Sequence, residues 1–255
     1  MTARTTLLSA ILIGGTAMAL SIITATGASA ACSIADLDSQ LDWRGCDLSG
    51  ANLGGANLSG LDLSHTNLGG TNLGNANLSR ANLSNARLDD ANLNGANLGG
   101  ANLSKANFGG ASLIGASLIG ANMTATHLYK TDLSGADLRA VTLGSGGSRI
   151  FEMFEVNFSG ANLTEAKLER LVLTGSNFSG ANLTGAKLER SDMTRLNLSE
   201  ANFTGANLQG ANLTEAVLYG SSLRQVEMDG ANLSRAVWVD GSTCADVSVG
   251  ECTPR

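Results

Sequence analysis

The side chains with most chemical reach in this 255-residue sequence are four cysteines and two histidines: Cys32, Cys46, Cys244, Cys252, His65 and His127. Thiolates and imidazoles can hold zinc, but a zinc site needs its ligands gathered at one point. Here two cysteines lie near the start and two near the end, with none between Cys46 and Cys244. An even count suits disulfides in an oxidising compartment. Three pairings are open in principle. If the intervening chain forms a rod, its ends cannot meet, and Cys32–Cys46 with Cys244–Cys252 is the sensible choice. Neither histidine comes with the partners of a Ser-His-Asp set. Glycine pairs such as Gly54-Gly55 lack the helix and lysine of a phosphate loop. Carboxylate pairs such as Asp89-Asp90 come without a cleft. The sequence therefore predicts no catalytic residues, no metal and no cofactor.

Composition says what kind of body carries these groups. There are 32 glycines and one proline, 4% aromatic and 15% charged residues. A conventional core needs more large apolar side chains, whereas a disordered chain would carry more charge and less leucine. Glycine-rich text with abundant leucine points to a repeat architecture. The net charge is −6, and −7 without the first thirty residues, whose only charged side chain is Arg4. Nucleic-acid binding asks for a basic footprint, so no nucleic-acid partner is expected.

The first thirty residues read as a secretory signal peptide: Arg4, an apolar run from Leu7 to Ile23, then Ala28-Ser29-Ala30 as an A-x-A exit, with cleavage expected after Ala30. An uncleaved anchor is the rival, but the run is barely long enough to span a bilayer and contains Gly, Ser and Thr. Lipidation at Cys32 is a further alternative, although Ser29-Ala30-Ala31 lacks the Leu-like residue such sites carry three positions before the cysteine. No other segment is expected to meet a membrane. The mature chain is expected in the periplasm or another extracytoplasmic space.

The body is a five-residue text, CDLSG ANLGG ANLSG LDLSH from residue 46. Centres fall every five residues from Trp43 to Trp238, forty in all, mostly Leu, with Phe and Met as apolar substitutes and Ser148 as the exception. A spacing of five walks these residues around a helix, so no helical face is apolar. Two residues before each centre stands a small residue, usually Ala. Positions two apart share one side of an extended stretch, and Gly, Asn and Ser then supply a turn. Repeated stretch and turn coils the chain, with the large and small apolar residues inward.

The tandem A[ND]Lxx units resemble the pentapeptide-repeat family over residues 41–243. That resemblance implies an all-β fold, a right-handed quadrilateral β-helix with four repeats per coil. Forty units would give about ten coils and a rod about 50 Å long at strand spacing. The expected organisation is a signal peptide at 1–30, an N-terminal cap at 31–42, the solenoid at 43–243 and a C-terminal cap at 244–255. Trp43 and Trp238 would plug the terminal coils, next to the cysteine pairs, because an uncapped solenoid exposes strand edges and core. The strings KLER at 167–170 and 187–190 are twenty apart and should stack, with Lys167, Glu169, Lys187 and Glu189 as a surface charge ladder.

One stretch departs from the text, with an irregular segment at 144–154. Between Leu143 and Phe158, Gly146 and Ser148 stand where Ala and Leu belong, while Met153 and Phe158 stay in phase. Either 144–149 leave the coil or the wall bulges. Ile150 and Phe154 fall at outward positions, a candidate partner-binding site, since exposed apolar residues on a polar rod call for a partner. The function expected from all this is a non-catalytic exported scaffold whose partner is a protein. The resemblance also offers a DNA-mimicking gyrase inhibitor, opposed here by the export signal, the scattered acidic residues and the want of a C-terminal helix such as those inhibitors carry. An enzyme with an unrecognised site is the third reading.

Overall fold

The computed structural model describes residues 43–144 and 151–254. Within them the five-residue unit builds one conformation again and again, and between the end coils nearly all of its backbone N–H groups find acceptors. In the unit centred on Leu48, the N–H groups of Leu48 and Gly50 donate to Asn67 and Gly69 carbonyls at 2.8 and 2.9 Å. The N–H of Ala51 closes a turn on the Leu48 carbonyl at 3.0 Å. The N–H of Ser49 donates to the Asp47 carboxylate at 3.0 Å. Asn67, one coil on, donates its own N–H back to the Cys46 carbonyl at 2.8 Å. The residue before the centre is mostly Asn or Asp because its side-chain oxygen caps the N–H two positions later.

Parallel bridges join residues twenty apart: Asp47 to Asn67, Asn67 to Arg87 and Arg87 to Asn107 on one face. One coil therefore takes twenty residues, four units. The turn places its second central residue at positive φ, whichever residue stands there. Gly50 and Gly55 lie at 67° and 69°, and His65, Lys105, Glu165 and Arg190 at 58–61°. One positive φ at the second central position is the mark of a type II turn. Non-glycine residues are strained there, so the stacked coils hold a conformation that isolated units would not favour.

The interior is the expected apolar file. Leu58, Leu63, Leu68 and nearly every later centre have no accessible surface, and the small residues before them are buried too. Phe158 and Phe178, one coil apart, stack with ring centroids 4.6 Å apart. Where Thr or Ser replaces Ala, its hydroxyl finds a carbonyl: Thr66 Oγ1 donates to Trp43 at 2.7 Å, and Thr131 to Phe108 at 2.9 Å. Outside, the Asn side chains form ladders. Asn82 Nδ2 donates to Asp62 at 3.0 Å and Asn102 Nδ2 to Asn82 at 3.1 Å.

At the interruption the register changes. Asp132 bridges Asn157, Asp137 bridges Asn162 and Thr142 bridges Lys167, each twenty-five apart, after which the spacing returns to twenty. Two short strands, β1 (Phe151–Glu152) and β2 (Leu171–Val172), pair in parallel just beyond it. Five extra residues therefore lie between Leu143 and Phe151. The unbroken five-residue frame does not mean unbroken coils, because an insertion of one whole unit leaves every later centre in phase. Gly144, at the near edge, has no room for a side chain: a Cβ there would come within 2.7 Å of the Glu169 carbonyl oxygen.

Candidate functional site

The insertion places one aromatic pair on the outer wall. Tyr129 and Phe154 occupy the first turn position of successive coils, because the Lys130 N–H donates to the Phe154 carbonyl at 3.2 Å across the lengthened register. Tyr129 is 51% and Phe154 37% exposed. The Lys130 ammonium lies 5.0 Å from the centre of the Tyr129 ring and 3.7 Å from Glu155 Oε2. Tyr129, then Glu155, hold that ammonium above the usual lysine range. Because Lys130 is fully charged, its neighbours form a short surface array of anion, cation and two aromatic rings.

Of the two residues singled out from the sequence, Phe154 is on this surface, and Ile150 lies outside the described residues. Sequence reasoning missed Tyr129 and three further exposed residues, Ile114 at 45%, Ile119 at 40% and Tyr219 at 56%. All stand at the first turn position of their units, where other units carry mostly Ser, Gly, Thr or a charged residue. Reading that position unit by unit would have found all four. Ile119, Arg80, Gly99 and Gly100 line a shallow groove on one flank.

The remaining expected sites fall elsewhere. Cys244 and Cys252 form a disulfide with Cα atoms 5.1 Å apart. Cys46 is also disulfide-bonded, and Cys32, its expected partner, lies outside the described residues. Trp43 is 4% exposed, whereas Trp238 is only partly buried. His65 and His127 are both exposed. Among the described residues no three His, Cys, Asp or Glu side chains gather as a metal site. The charge ladder expected at the KLER strings takes another form. The twenty-residue register sets Lys167 against Lys187, like over like, and among the described residues no ion pair joins these side chains. Ion pairs form instead where the register stacks opposite charges: Arg195 to Glu215 at 2.6 Å and Arg235 to Glu215 at 3.1 Å.

The sequence profile of pentapeptide repeats matches residues 44–80, 71–110, 106–143, 157–195 and 197–235, and its matches break where the insertion lies. Among solved structures the chain is similar to HetL, a pentapeptide repeat protein involved in heterocyst differentiation regulation from the cyanobacterium Nostoc sp. strain PCC 7120. The identity is 32%, over 79% of this chain and 91% of that one, with a TM-score of 0.48. It is also similar to full-length QnrB1, a plasmid-mediated fluoroquinolone resistance protein, at 20% identity over 71% and 90%, with a TM-score of 0.43. A pentapeptide repeat protein of the Arabidopsis thaliana thylakoid lumen matches at 23% identity over 50% and 83%, with a TM-score of 0.18. None of the curated proteins compared matches. With profile matches over most of its length and the twenty-residue register of its coils, this chain belongs to the pentapeptide-repeat family.

Proposed function

We propose that the protein is a non-catalytic scaffold outside the cytoplasm that presents the wall around Tyr129 and Phe154 to a protein partner. In this reading the mature chain follows removal of residues 1–30 and folds as a right-handed quadrilateral β-helix of about ten coils. The observation that carries the proposal is the exposed aromatic pair at the change of register, the place where two exposed rings meet across successive coils on a wall mostly of Asn, Ser, Thr, Gly and charged side chains, with Ile114, Ile119 and Tyr219 standing apart from it. Aromatic rings beside a charged pair are what protein interfaces use as anchors. Export rests on the signal-like first thirty residues and on disulfides that need an oxidising space.

The decisive experiment is fractionation of cells with N-terminal sequencing of the mature chain, then pull-down from that compartment with wild type and with Tyr129→Ser/Phe154→Ser. The double variant should keep the circular dichroism of the wild type and lose a specific protein. An unchanged set of captured proteins would remove the aromatic pair as the site. A chain found in the cytoplasm would remove the scaffold reading as stated. The gyrase reading draws little support from the wall: the corner from Lys130 to Arg235 alternates in sign, Lys130, Glu155, then Arg195, Glu215, Arg235, and the short acidic column Glu169, Glu189, Asp229 is flanked by Arg170 and Arg190.

A further inference from the structure

The C-terminal tail folds back over the last coil and stops at a corner. After Trp238 the chain reverses and runs antiparallel to the strands it has just made. Trp238 donates its N–H to the Ser242 carbonyl at 2.7 Å, Arg235 to Ala245 at 3.2 Å, Leu233 to Ser248 at 2.8 Å, and Gly250 to Ala231 at 2.9 Å. Residues 242–250 thus seal the two sides at 231–238. Gly250 stands at the threshold of the next side. A Cβ there would lie 3.6 Å from the Met228 carbonyl oxygen and 4.0 Å from the Gly230 nitrogen.

The sides at 221–230 are open. One coil earlier, the N–H groups of Phe203, Gly205, Leu208 and Gly210 donate to Ser222, Arg224, Glu227 and Asp229. Their counterparts Leu223, Gln225, Met228 and Gly230 have no acceptor among the described residues. Leu223, Val226 and Met228 are only partly buried, although their equivalents down the rod are sealed. Such an edge favours a strand that completes it. The tail does not supply one. At Gly250, with φ at 74°, it turns away. The Ala245 N–H donates to the Thr253 carbonyl at 2.7 Å, the Ser248 and Thr253 hydroxyls share a hydrogen bond at 2.8 Å, and Cys252 is bonded to Cys244. Carried on in the antiparallel register of the tail, residues 251–254 would instead bring the Glu251 and Thr253 carbonyls to the Gly230 and Met228 N–H groups.

We propose that the Cys244–Cys252 disulfide is a redox latch on the last coil. Oxidised, it holds residues 251–254 against the tail and leaves the Met228 side uncovered. Reduced, it lets them run on over Gly230 and Met228 and shut that side. These four residues reach Met228 and no further, so they leave the Leu223 side open in both states. A dithiol supplies the electrons. Its thiolate attacks Cys252 Sγ, because Cys244 has no accessible surface and Cys252 is only partly buried. The S–S bond breaks, and Cys244 leaves as a thiolate that takes up a proton. The second thiol then attacks the mixed disulfide and frees Cys252, so that two electrons and two protons pass to the protein. The released segment gives up the Ala245–Thr253 hydrogen bond and the Ser248–Thr253 pair. It gains two backbone hydrogen bonds at groups that have none, and it covers the apolar Met228.

Amide hydrogen exchange of the folded chain, before and after reduction with dithiothreitol, reads the latch. Met228 and Gly230 should slow by about tenfold or more on reduction, and Ala245 should quicken. Leu223 and Gln225 should stay fast, while Leu233 and Trp238, which pair with the tail, stay slow. Cys252→Ser should show the reduced pattern without a reductant and with the disulfide of Cys46 intact. Should that variant misfold, the reduced wild type carries the test alone. Met228 and Gly230 amides that exchange alike in both states would overturn the proposal. So would loss of protection at Leu233 and Trp238, which would mean that the whole tail departs. Slowing that extends to Leu223 and Gln225, or that grows with protein concentration, would overturn it too, since another chain would then be covering the edge.

Discussion

The two halves of the wall share one backbone and differ in what their side chains do between coils. From residue 46 to 143 the position before the centre is mostly Asn, and amide ladders climb the faces: Asn72 to Asn52, Asn77 to Asn57, Asn82 to Asp62 and Asn102 to Asn82. Beyond the insertion the ladders thin. Lys167, Val172, Lys187, Val217 and Glu227 take that position, and long charged residues occupy the positive-φ corner at Glu155, Glu165, Arg170, Arg190 and Glu200. The inward positions do not change. Core and backbone register therefore define the fold, while the outward amides are an added fastening that the second half partly does without.

The sharpest way to break this comparison is in the core, where the halves should behave alike. Leu83 and Leu188 stand in the same column, one in each half, and neither has accessible surface. Changing either to Ala should cost about 2–5 kcal/mol. The two losses should agree within about 1 kcal/mol, because the same neighbours above and below leave the same cavity. Hydrogen exchange of the flanking amides is the measurement, since it reports each stretch of a one-dimensional array separately. A much larger loss in one half would mean that the core is not the shared element.

A smaller effect should separate the halves. Asn82 accepts the Ser84 N–H, donates to Asp62 and accepts from Asn102. Asn82→Ala removes all three hydrogen bonds and should cost about 1–3 kcal/mol, little changed by salt. Arg195→Ala in the second half removes the ion pair with Glu215. Its effect should be smaller than that of Asn82→Ala and should disappear in high salt, because exposed ion pairs are screened. Thermal midpoints in low and high salt decide the matter. Equal effects would erase the distinction between amide and charge fastening.

Much of this was readable in the text. The period of five, the inward pair at positions two apart and the polar outward remainder follow from side-chain volumes alone. The cap on the turn N–H was also there, in the Asn or Asp of every ANL and CDL. The number of units per coil was not, since nothing in one unit records what lies twenty residues away, and it came from the family resemblance. The insertion was hidden because it is one unit long. With that coil, Lys167 was expected to stack on Lys187, as it does; which stacked charges join as ion pairs was not readable, because that depends on opposite signs meeting across the register. Phe154 was legible as outward because its unit kept phase, and Tyr129 joins it only through the twenty-five-residue step.

The smallest expected effect is an acid one. Asp137 lies below the usual carboxylate range because the Arg139 side chain donates to it; burial opposes this, and the Arg139 N–H and charge add to the lowering. A carboxylate whose folded value is depressed contributes stability that is fully present above its unfolded value. That contribution is lost as pH falls through the folded value, because the unfolded chain then binds the proton first. The thermal midpoint should therefore decline as pH drops below the ordinary aspartate range. Asp137→Asn keeps a side-chain oxygen for the Arg139 N–H and removes the proton-binding group. The variant should start slightly less stable at neutral pH, having lost the Arg139 ion pair, and should decline less steeply in acid, the residual slope coming from Asp47, Asp62, Glu215 and Asp240, which are lowered chiefly by Ser49, Ser64, Arg195 and Ser242. If wild type and variant fall in parallel, the acid sensitivity resides in those other carboxylates, two in each half, and not at Asp137.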